Sequence, residues 1–256
     1  MKIILLCAGY ATRLYPLTKD LPKPLLPIAG RPMLEWILDQ VKLLPGVEKV
    51  FIVTNHRFAG HFEKWVHGVR YDWPLEVVDD QTTTNDNRLG AIGDLAFVLT
   101  RKNIGAEDLL VLAGDNIFNF ELGEFVKFAN AKRPHPALAV FDVADRELAK
   151  QYGLVRLSNE GRVVEFLEKP ENPPTNLASC GIYWLPAQSR VLLDRYLATG
   201  HNSDQPGHYM RWLAEQHSLF AASLKGHWLD IGDPISYEKA NALFRELNLN
   251  IERKKS

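Results

Sequence analysis

The fold is decided by the opening stretch KIILLCAGYATRLYPLTKDLPKPLLP, residues 2–27. It begins with an apolar run of strand length, which passes directly into a tight turn containing Ala8 and Gly9. Such a turn presents backbone N–H groups at the carboxyl end of a strand, where α/β sheets bind phosphate. Arg13 and Lys23 follow, and both cations suit phosphate oxygens. The stretch therefore predicts a triphosphate cradle. An ordinary turn carrying two solvated cations is the competing interpretation.

The common nucleotide fingerprints are missing from the chain. The turn at residues 9–14 has one glycine where G-x-G-x-x-G needs three, and G-x-x-x-x-G-K-[ST] occurs nowhere. A kinase or a dinucleotide-dependent dehydrogenase therefore loses its main support in the sequence.

Composition narrows the class of protein further. The 256 residues are 46% apolar with a formal net charge of −1, so a sizeable core is available and neither a nucleic acid nor an anionic membrane partner is expected. The chain has two cysteines, Cys7 and Cys180, which predict small core residues rather than a disulfide framework. No apolar run approaches the ~18 residues of a membrane span, so the expected location is the cytoplasm.

Strands and helices are predicted to alternate along one domain, residues 1–256. A helix begins at Pro32 after the first strand, and a second strand follows it, which makes a βαβ unit. Three histidines, His56, His61 and His67, lack a ligand spacing and are expected on the surface. The predicted elements after the first helix are strands at 49–54, 75–79, 109–113, 136–143, 180–185 and 220–223, a hairpin of 151–157 with 162–167, and helices at 59–66, 91–99, 204–214 and 236–247.

One carboxylate follows a fully apolar strand. Residues 109–113 read as a buried parallel strand, and they end in Gly114 and Asp115. Ligands of α/β sheets bind at this end of a strand, and Mg²⁺ takes one or two carboxylates together with substrate phosphates. Asp115 is therefore a candidate Mg²⁺ ligand, and a turn-capping aspartate is the alternative.

Five separated blocks, in order, resemble the sugar-1-phosphate nucleotidylyltransferase family. The opening matches its L-A-A-G-x-G-T-R-L-x-P-L-T and P-K-x-L-x-P, with departures at Cys7 and at Ala11, where the family usually has glycine. The segment 114–118 is similar to the G-D-N-I-F of the thymidylyltransferase branch. The hairpin ending at 168–170 resembles Y-G-V-V … G-R-V … F-x-E-K-P, residues 89–93 match L-G-x-A-G in part, and 228–234 resembles W-x-D-I-G-T-P.

The resemblance implies an α/β fold of three layers, Rossmann-like, with a mostly parallel mixed central sheet. Some members of the family have a C-terminal β-helix, for which we expect no room in residues 1–256. Implied roles can be grouped by ligand. Nucleotide binding falls to Ala8, Gly9, Arg13, Gln81 and Gly90. Binding of the sugar phosphate falls to Gly153, Glu168, Lys169 and Tyr183. Mg²⁺ is implied on Asp115 and Asp230, and the catalytic cations are Arg13, Lys23 and Lys169.

Two of these assignments carry open alternatives. Gln81 is expected to read the base because a carboxamide can donate to O4 and accept from N3–H of a pyrimidine, but Asp80 and Thr82 lie beside it in the same loop. Tyr183 lines the sugar pocket or belongs to the core. In addition, Ser179 or Ala178 stands where the family has a sugar-contacting asparagine.

The implied reaction is attack by a sugar-1-phosphate on the α-phosphorus of a nucleoside triphosphate, which releases pyrophosphate. dTTP and glucose-1-phosphate are the expected substrates, on the strength of 114–118, with UTP as the alternative and CTP and GTP less favoured. Ala11 and Ser179 also leave open a regulatory subunit of the same fold that senses nucleotide sugars without catalysis. A homo-oligomer is possible.

Overall fold

The computed structural model describes residues 1–105 and 107–255, with side chains described through 249. Its strands are β1 (Lys2–Leu6), β2 (Pro27–Ile28), β3 (Arg31–Pro32), β4 (Lys49–Thr54), β5 (Leu75–Asp79), β6 (Leu109–Ala113), β7 (Asn116–Phe118), β8 (Ala137–Asp142), β9 (Gly153–Leu157), β10 (Val163–Glu168), β11 (Leu177–Leu185), β12 (Phe220–Ser223) and β13 (Trp228–Asp230). Its helices are α1 (Met33–Lys42), α2 (His56–Gly68), α3 (Ala91–Arg101), α4 (Leu122–Ala131), α5 (Arg146–Ala149), α6 (Arg190–Ala198), α7 (Pro206–Gln216) and α8 (Pro234–Lys255).

Nine of these strands form one mixed sheet. Its order is β10-β9-β11-β6-β1-β4-β5, and β8 pairs with both β11 and β12. β1 pairs in parallel with β4 and β6, and β4 pairs in parallel with β5. β11 runs antiparallel to β6, β8 and β9. The predicted mixed sheet with parallel strands at its centre is therefore confirmed.

Helices cover both faces of this sheet, as alternation along the central strands requires. On β1, Ile3 and Leu5 pack in one apolar cluster, which includes residues of α1, α2 and α4. The residue between them, Ile4, packs in a second cluster with residues of α3, α6 and α7. Every one of these three strand residues is fully buried. The three-layer arrangement predicted from the sequence follows directly from this pattern.

The closing helix packs away from the main sheet. A third cluster joins Phe244 of α8 to Ile28, to Ile117 of β7 and to Ile231 just after β13. β7 and β13 pair antiparallel, with Asn116 opposite Asp230. This small ribbon brings the 228–234 segment beside the end of β6, although the two segments are more than a hundred residues apart in the chain.

Most predicted elements lie within a few residues of the observed ones. The strands at 49–54, 75–79, 109–113 and 220–223 agree with the structure in full. Both cysteines are buried, and His56, His61 and His67 are exposed, as expected. Pro32 precedes α1 rather than opening it. The sequence interpretation omitted α4, α6 and the ribbon, and it placed the end of α8 eight residues too early. No helix in the described residues has the length and apolarity needed to cross a bilayer.

Candidate active site

A cavity of about 430 Å³ opens at the carboxyl ends of the central parallel strands. The ends of β1 and β6 contribute Ala8, Gly9 and Asp115, and the start of α3 contributes Gly90. The hairpin of β9 and β10 and the segment that opens α7 form the opposite wall. This is where ligands bind in α/β sheets generally.

A second cavity, of about 250 Å³, adjoins the first one and shares Gly9 and Asp115 with it. Its lining includes Arg13 and Lys23. Ala11 begins a short 3₁₀ turn here with φ 47° and ψ 43°, which is the left-handed region. The position at which the family usually has glycine therefore does require a positive φ, and alanine holds it at a cost of about 1 kcal/mol.

Asp115 is held from two sides where the cavities meet. Lys23 Nζ lies 3.0 Å from Asp115 Oδ2, and Asn116 Nδ2 donates to Asp115 Oδ1 at 2.7 Å. Trp228 Nε1 in turn donates to Asn116 Oδ1 at 2.7 Å, so the amide cannot rotate freely. Burial acts to raise the pKa of Asp115, but the Lys23 charge and these hydrogen bonds outweigh it, and the pKa lies below its ordinary value.

Asp230 faces the same point from the ribbon. Burial, and then the charge of Asp115, raise the pKa of Asp230 to about 6, against the opposing charges of Lys23, Arg13 and Lys169. The Asp115 charge thus disfavours a second negative charge on Asp230, and a cation near both carboxylates would relieve the repulsion. Three cationic side chains already surround them, which makes the centre of the cleft suited to polyanions.

The opposite wall combines a carboxylate with backbone. Glu168 lies so near two glycines that a Cβ on Gly153 would stand 3.0 Å from its Oε2, and one on Gly207 only 2.0 Å. Burial raises the pKa of Glu168, while the charges of Lys169 and His208 oppose the rise. Lys169 adopts a positive φ of 47°, and its Nζ is 3.9 Å from Glu168 Oε1. A carboxylate, an ammonium group and glycine backbone together suit a ligand that carries hydroxyl and phosphate groups.

Residues 203 and 204 pack against the start of α3, and Asp204 lines the main cavity. The N–H groups of Ala91 and Ile92 donate to the carbonyls of Asp204 and Ser203 at 3.1 and 2.9 Å. The Arg88 guanidinium bonds both carboxylate oxygens of Asp204, at 2.9 and 2.8 Å. Gly90 has φ +79°, and a Cβ there would lie 2.3 Å from the Asp204 Cα. Only glycine fits this junction.

Nearly all of the predicted site residues meet in the two adjoining cavities. Tyr183 lines the main cavity although it is only 7% exposed, and burial raises the pKa of its hydroxyl. Gln81 is exposed and does not line either cavity. The residues that line one or both are Ala8, Gly9, Arg13, Lys23, Gly90, Asp115, Gly153, Glu168, Lys169, Tyr183 and Asp230.

Sequence reasoning missed several residues that shape the site. Asn116 and Trp228 orient Asp115, although both stood within recognised motifs. Gly207 makes room for Glu168, and only the tertiary structure shows that. Asp94 lines the main cavity one turn into α3, and its position four residues after Gly90 was a signal that could have been used.

Comparisons with known proteins agree with this geometry. The model of the nucleotidyl transferase family matches residues 2–246. The bifunctional protein GlmU of Methanococcus maripaludis is 32% identical over 95% of this chain and 54% of its own length. The UTP–glucose-1-phosphate uridylyltransferase AglF of Haloferax volcanii is 33% identical over 72% of this chain and 71% of its own. The chain thus spans about half the length of the GlmU relatives it matches.

A solved structure shows the same fold. Apo UDP-glucose pyrophosphorylase superposes with a TM-score of 0.79 over 96% of this chain and 98% of that chain, at 22% identity. The family model covers all five sequence blocks and the residues that line both cavities. This chain belongs to the nucleotidyl transferase family.

Proposed function

We propose that this chain transfers a nucleotidyl group from a nucleoside triphosphate to a sugar-1-phosphate, with release of pyrophosphate. The observation that carries the proposal is the meeting of Asp115 and Asp230 with Arg13, Lys23 and Lys169 in one cleft. Two substrates that are both polyanions repel each other, and such a cluster of charge lets them approach. The carboxylate and glycine wall around Glu168 then suits the hydroxyls of the sugar.

The chain's own residues have distinct tasks in this reaction. Arg13 and Lys23 lie on the triphosphate side and stabilise charge that develops on the departing pyrophosphate. Lys169 lies on the sugar side and holds the attacking phosphate. A phosphate monoester is a competent nucleophile near neutral pH, so positioning rather than a general base supplies the rate.

Mg²⁺ fits the carboxylate pair. Asp115 and Asp230 both line the main cavity, and the charge of Asp115 raises the pKa of Asp230, so the two carboxylates are close enough to be considered as a pair. Mg²⁺ is commonly held by one or two protein carboxylates, with substrate phosphates and water completing its shell. Bound there, the ion would neutralise part of the charge on the substrate phosphates.

The identity of the base and the sugar is a finer question. The similarity of residues 114–118 to the thymidylyltransferase branch favours dTTP and glucose-1-phosphate. The relative AglF is instead named for UTP and glucose-1-phosphate. Residues 114–118 include Asp115 and its partner Asn116, which serve the phosphate centre of the cleft rather than the base. We therefore keep glucose-1-phosphate as the first sugar to test and treat the base separately below.

Pyrophosphate release tests the proposal. Purified protein with Mg²⁺ would receive dTTP, UTP, CTP, GTP or ATP, each with and without glucose-1-phosphate and related sugar phosphates. Release that requires both sugar phosphate and metal is expected. Asp115→Asn and Asp230→Asn should abolish it with the fold intact, whereas Asp142→Asn, an exposed carboxylate on β8, should not. Binding of nucleotide without release from any pair would refute catalysis and favour the regulatory subunit.

A further inference from the structure

Two buried aspartates lie near the start of α3, which borders the main cavity. Asp80 follows β5 and is 4% exposed, and Asp94 lies in the first turns of α3 and is 5% exposed. The two carboxyl groups are near enough for the charge of Asp80 to act on Asp94. Asp94 also lines the cavity. No role in the reaction proposed above uses either residue.

The hydrogen bonds of the described residues leave one oxygen of each aspartate without a donor. Asp80 Oδ1 accepts from the N–H of Thr82 at 2.6 Å. Asp80 Oδ2 and Asp94 Oδ1 are both enclosed and have no donor among the described residues. A single proton shared by these two oxygens satisfies both, which two buried carboxylates otherwise could not achieve. Consistent with this, burial and then the charge of Asp80 raise the pKa of Asp94 to about 8.

The shared proton leaves Asp94 Oδ2 as an acceptor only, and the surrounding charge is negative. Asp79 and Asp204 add to the field at the pair. The nearby cation Arg88 is already committed to both oxygens of Asp204. A base edge that brings carbonyl oxygens to this end would meet repulsion, whereas an amino group would find an acceptor.

We propose that Asp94, held by Asp80, selects a nucleobase that carries an exocyclic amino group, as in cytosine, adenine or guanine, over uracil and thymine. The inference rests on the proposed function for its substrate and departs from the sequence expectation of dTTP. The phosphates occupy the end lined by Arg13 and Lys23, which directs the base toward α3. There the amino group donates to Asp94 Oδ2. Uracil and thymine offer one N–H between two carbonyl oxygens and are disfavoured.

Nucleotides that differ only in the amino group provide the test. CTP is compared with UTP, and ATP and GTP with ITP, by equilibrium binding to the wild-type protein and by pyrophosphate release. At least one amino nucleotide should bind about tenfold or more tightly than its oxo partner, the range that one buried polar contact supplies. The N,N-dimethyl analogue of that nucleotide lacks both N–H donors and should lose the same factor without any change to the protein.

Variants of Asp94 test whether its carboxyl group, rather than a general change in the protein, sets the preference for an amino nucleotide. Asp94→Ala should reduce the ratio of the affinities for the amino nucleotide and its oxo partner to about one. Asp94→Asn should keep it, because the amide N–H₂ can replace the shared proton toward Asp80 and leave its oxygen facing the cavity. Asp86→Asn removes an exposed carboxylate of the same loop and should leave the preference unchanged.

The outcomes distinguish this inference from the proposed function. Tighter binding of an amino nucleotide without pyrophosphate release supports the base assignment and refutes catalysis. Release with dTTP or UTP at least as fast as with CTP, ATP or GTP, unaltered by Asp94→Ala, confirms catalysis and overturns the base assignment. Failure of every nucleotide to bind would overturn both.

Discussion

The Trp228 indole N–H should support the proposed metal ligand Asp115 through Asn116, and Trp228→Phe removes that one donor. The indole donates to Asn116 Oδ1 at 2.7 Å, and Asn116 donates to Asp115 Oδ1 at 2.7 Å. Phenylalanine keeps an aromatic ring against Tyr152, whose centroid lies 4.9 Å from that of Trp228. The substitution therefore leaves Asp115 untouched and frees the amide that orients it.

The magnitude follows from the burial of Asn116, which is 7% exposed. Leaving its carbonyl oxygen unpaired costs about 1–3 kcal/mol in free energy of unfolding. The smaller ring removes roughly 1 kcal/mol more in apolar burial. Loss of a group that orients a metal ligand typically lowers activity about 10- to 100-fold. We expect that fall in kcat at saturating Mg²⁺, with the KM for glucose-1-phosphate little changed.

A double-mutant cycle with Asn116→Ala isolates the hydrogen bond. Urea unfolding and turnover would be measured for Trp228→Phe, Asn116→Ala and the pair, with a coupling of about 1–2 kcal/mol expected in unfolding. Trp184→Phe is the matched control, because the Trp184 Nε1 is buried without a partner among the described residues and its loss reports packing alone. Additive effects within about 0.5 kcal/mol would refute the reasoning.

Three further predictions concern single positions. Ala11→Gly should raise the free energy of unfolding by up to about 1 kcal/mol, since φ at Ala11 is 47°; an unchanged urea midpoint contradicts this. Because burial and the charge of Asp80 raise the pKa of Asp94 to about 8, the folded state binds the extra proton, so the contribution of Asp94 to the free energy of unfolding should be greatest below about pH 4 and be lost as pH rises through 8. Asp94→Asn should abolish that slope in urea titrations at several pH values. Gly207→Ala places a Cβ 2.0 Å from Glu168 Oε2, so it should raise the KM for the sugar phosphate about tenfold or more with kcat less affected, and an unchanged KM would separate Glu168 from the sugar.

The sequence predicts the sheet well because its signals are local. A run such as 109–113, apolar at every position, can satisfy burial on both faces only in the middle of a layered sheet, and the structure buries its strand between two helical layers. The ribbon of β7 and β13 carries no such signal. Its strands have three residues each, and their pairing depends on a contact between residues 116–118 and 228–230 that no local pattern encodes.

The convergence of four charged side chains was also predictable in part, whereas the contacts at the proposed base end were not. Asp115 follows β6 and Asp230 ends β13, so the fold sets the direction of these two side chains. Arg13 and Lys23 line the second cavity from the loop between β1 and β2. The convergence of the two carboxylates follows once the strand order is known. At the base end, the relevant contact joins the loop after β5 to the first turns of α3, and the intervening turn decides which side chains point inward.

That turn explains why three neighbouring polar residues could not be ranked from sequence. The N–H of Gln81 donates to Asp79 Oδ1 at 2.7 Å, and the N–H of Thr82 donates to Asp80 Oδ1 at 2.6 Å. These two successive aspartate turns, with φ at Gln81 of 68°, send Asp80 and Thr82 inward at 4% exposure each and leave Gln81 outside. We expected the Gln81 carboxamide to contact a pyrimidine base, but the turn buries the Asp80 carboxyl group and exposes Gln81. Because this turn buries Asp80 near Asp94, the proposed preference for an amino base depends on backbone geometry that the sequence does not reveal.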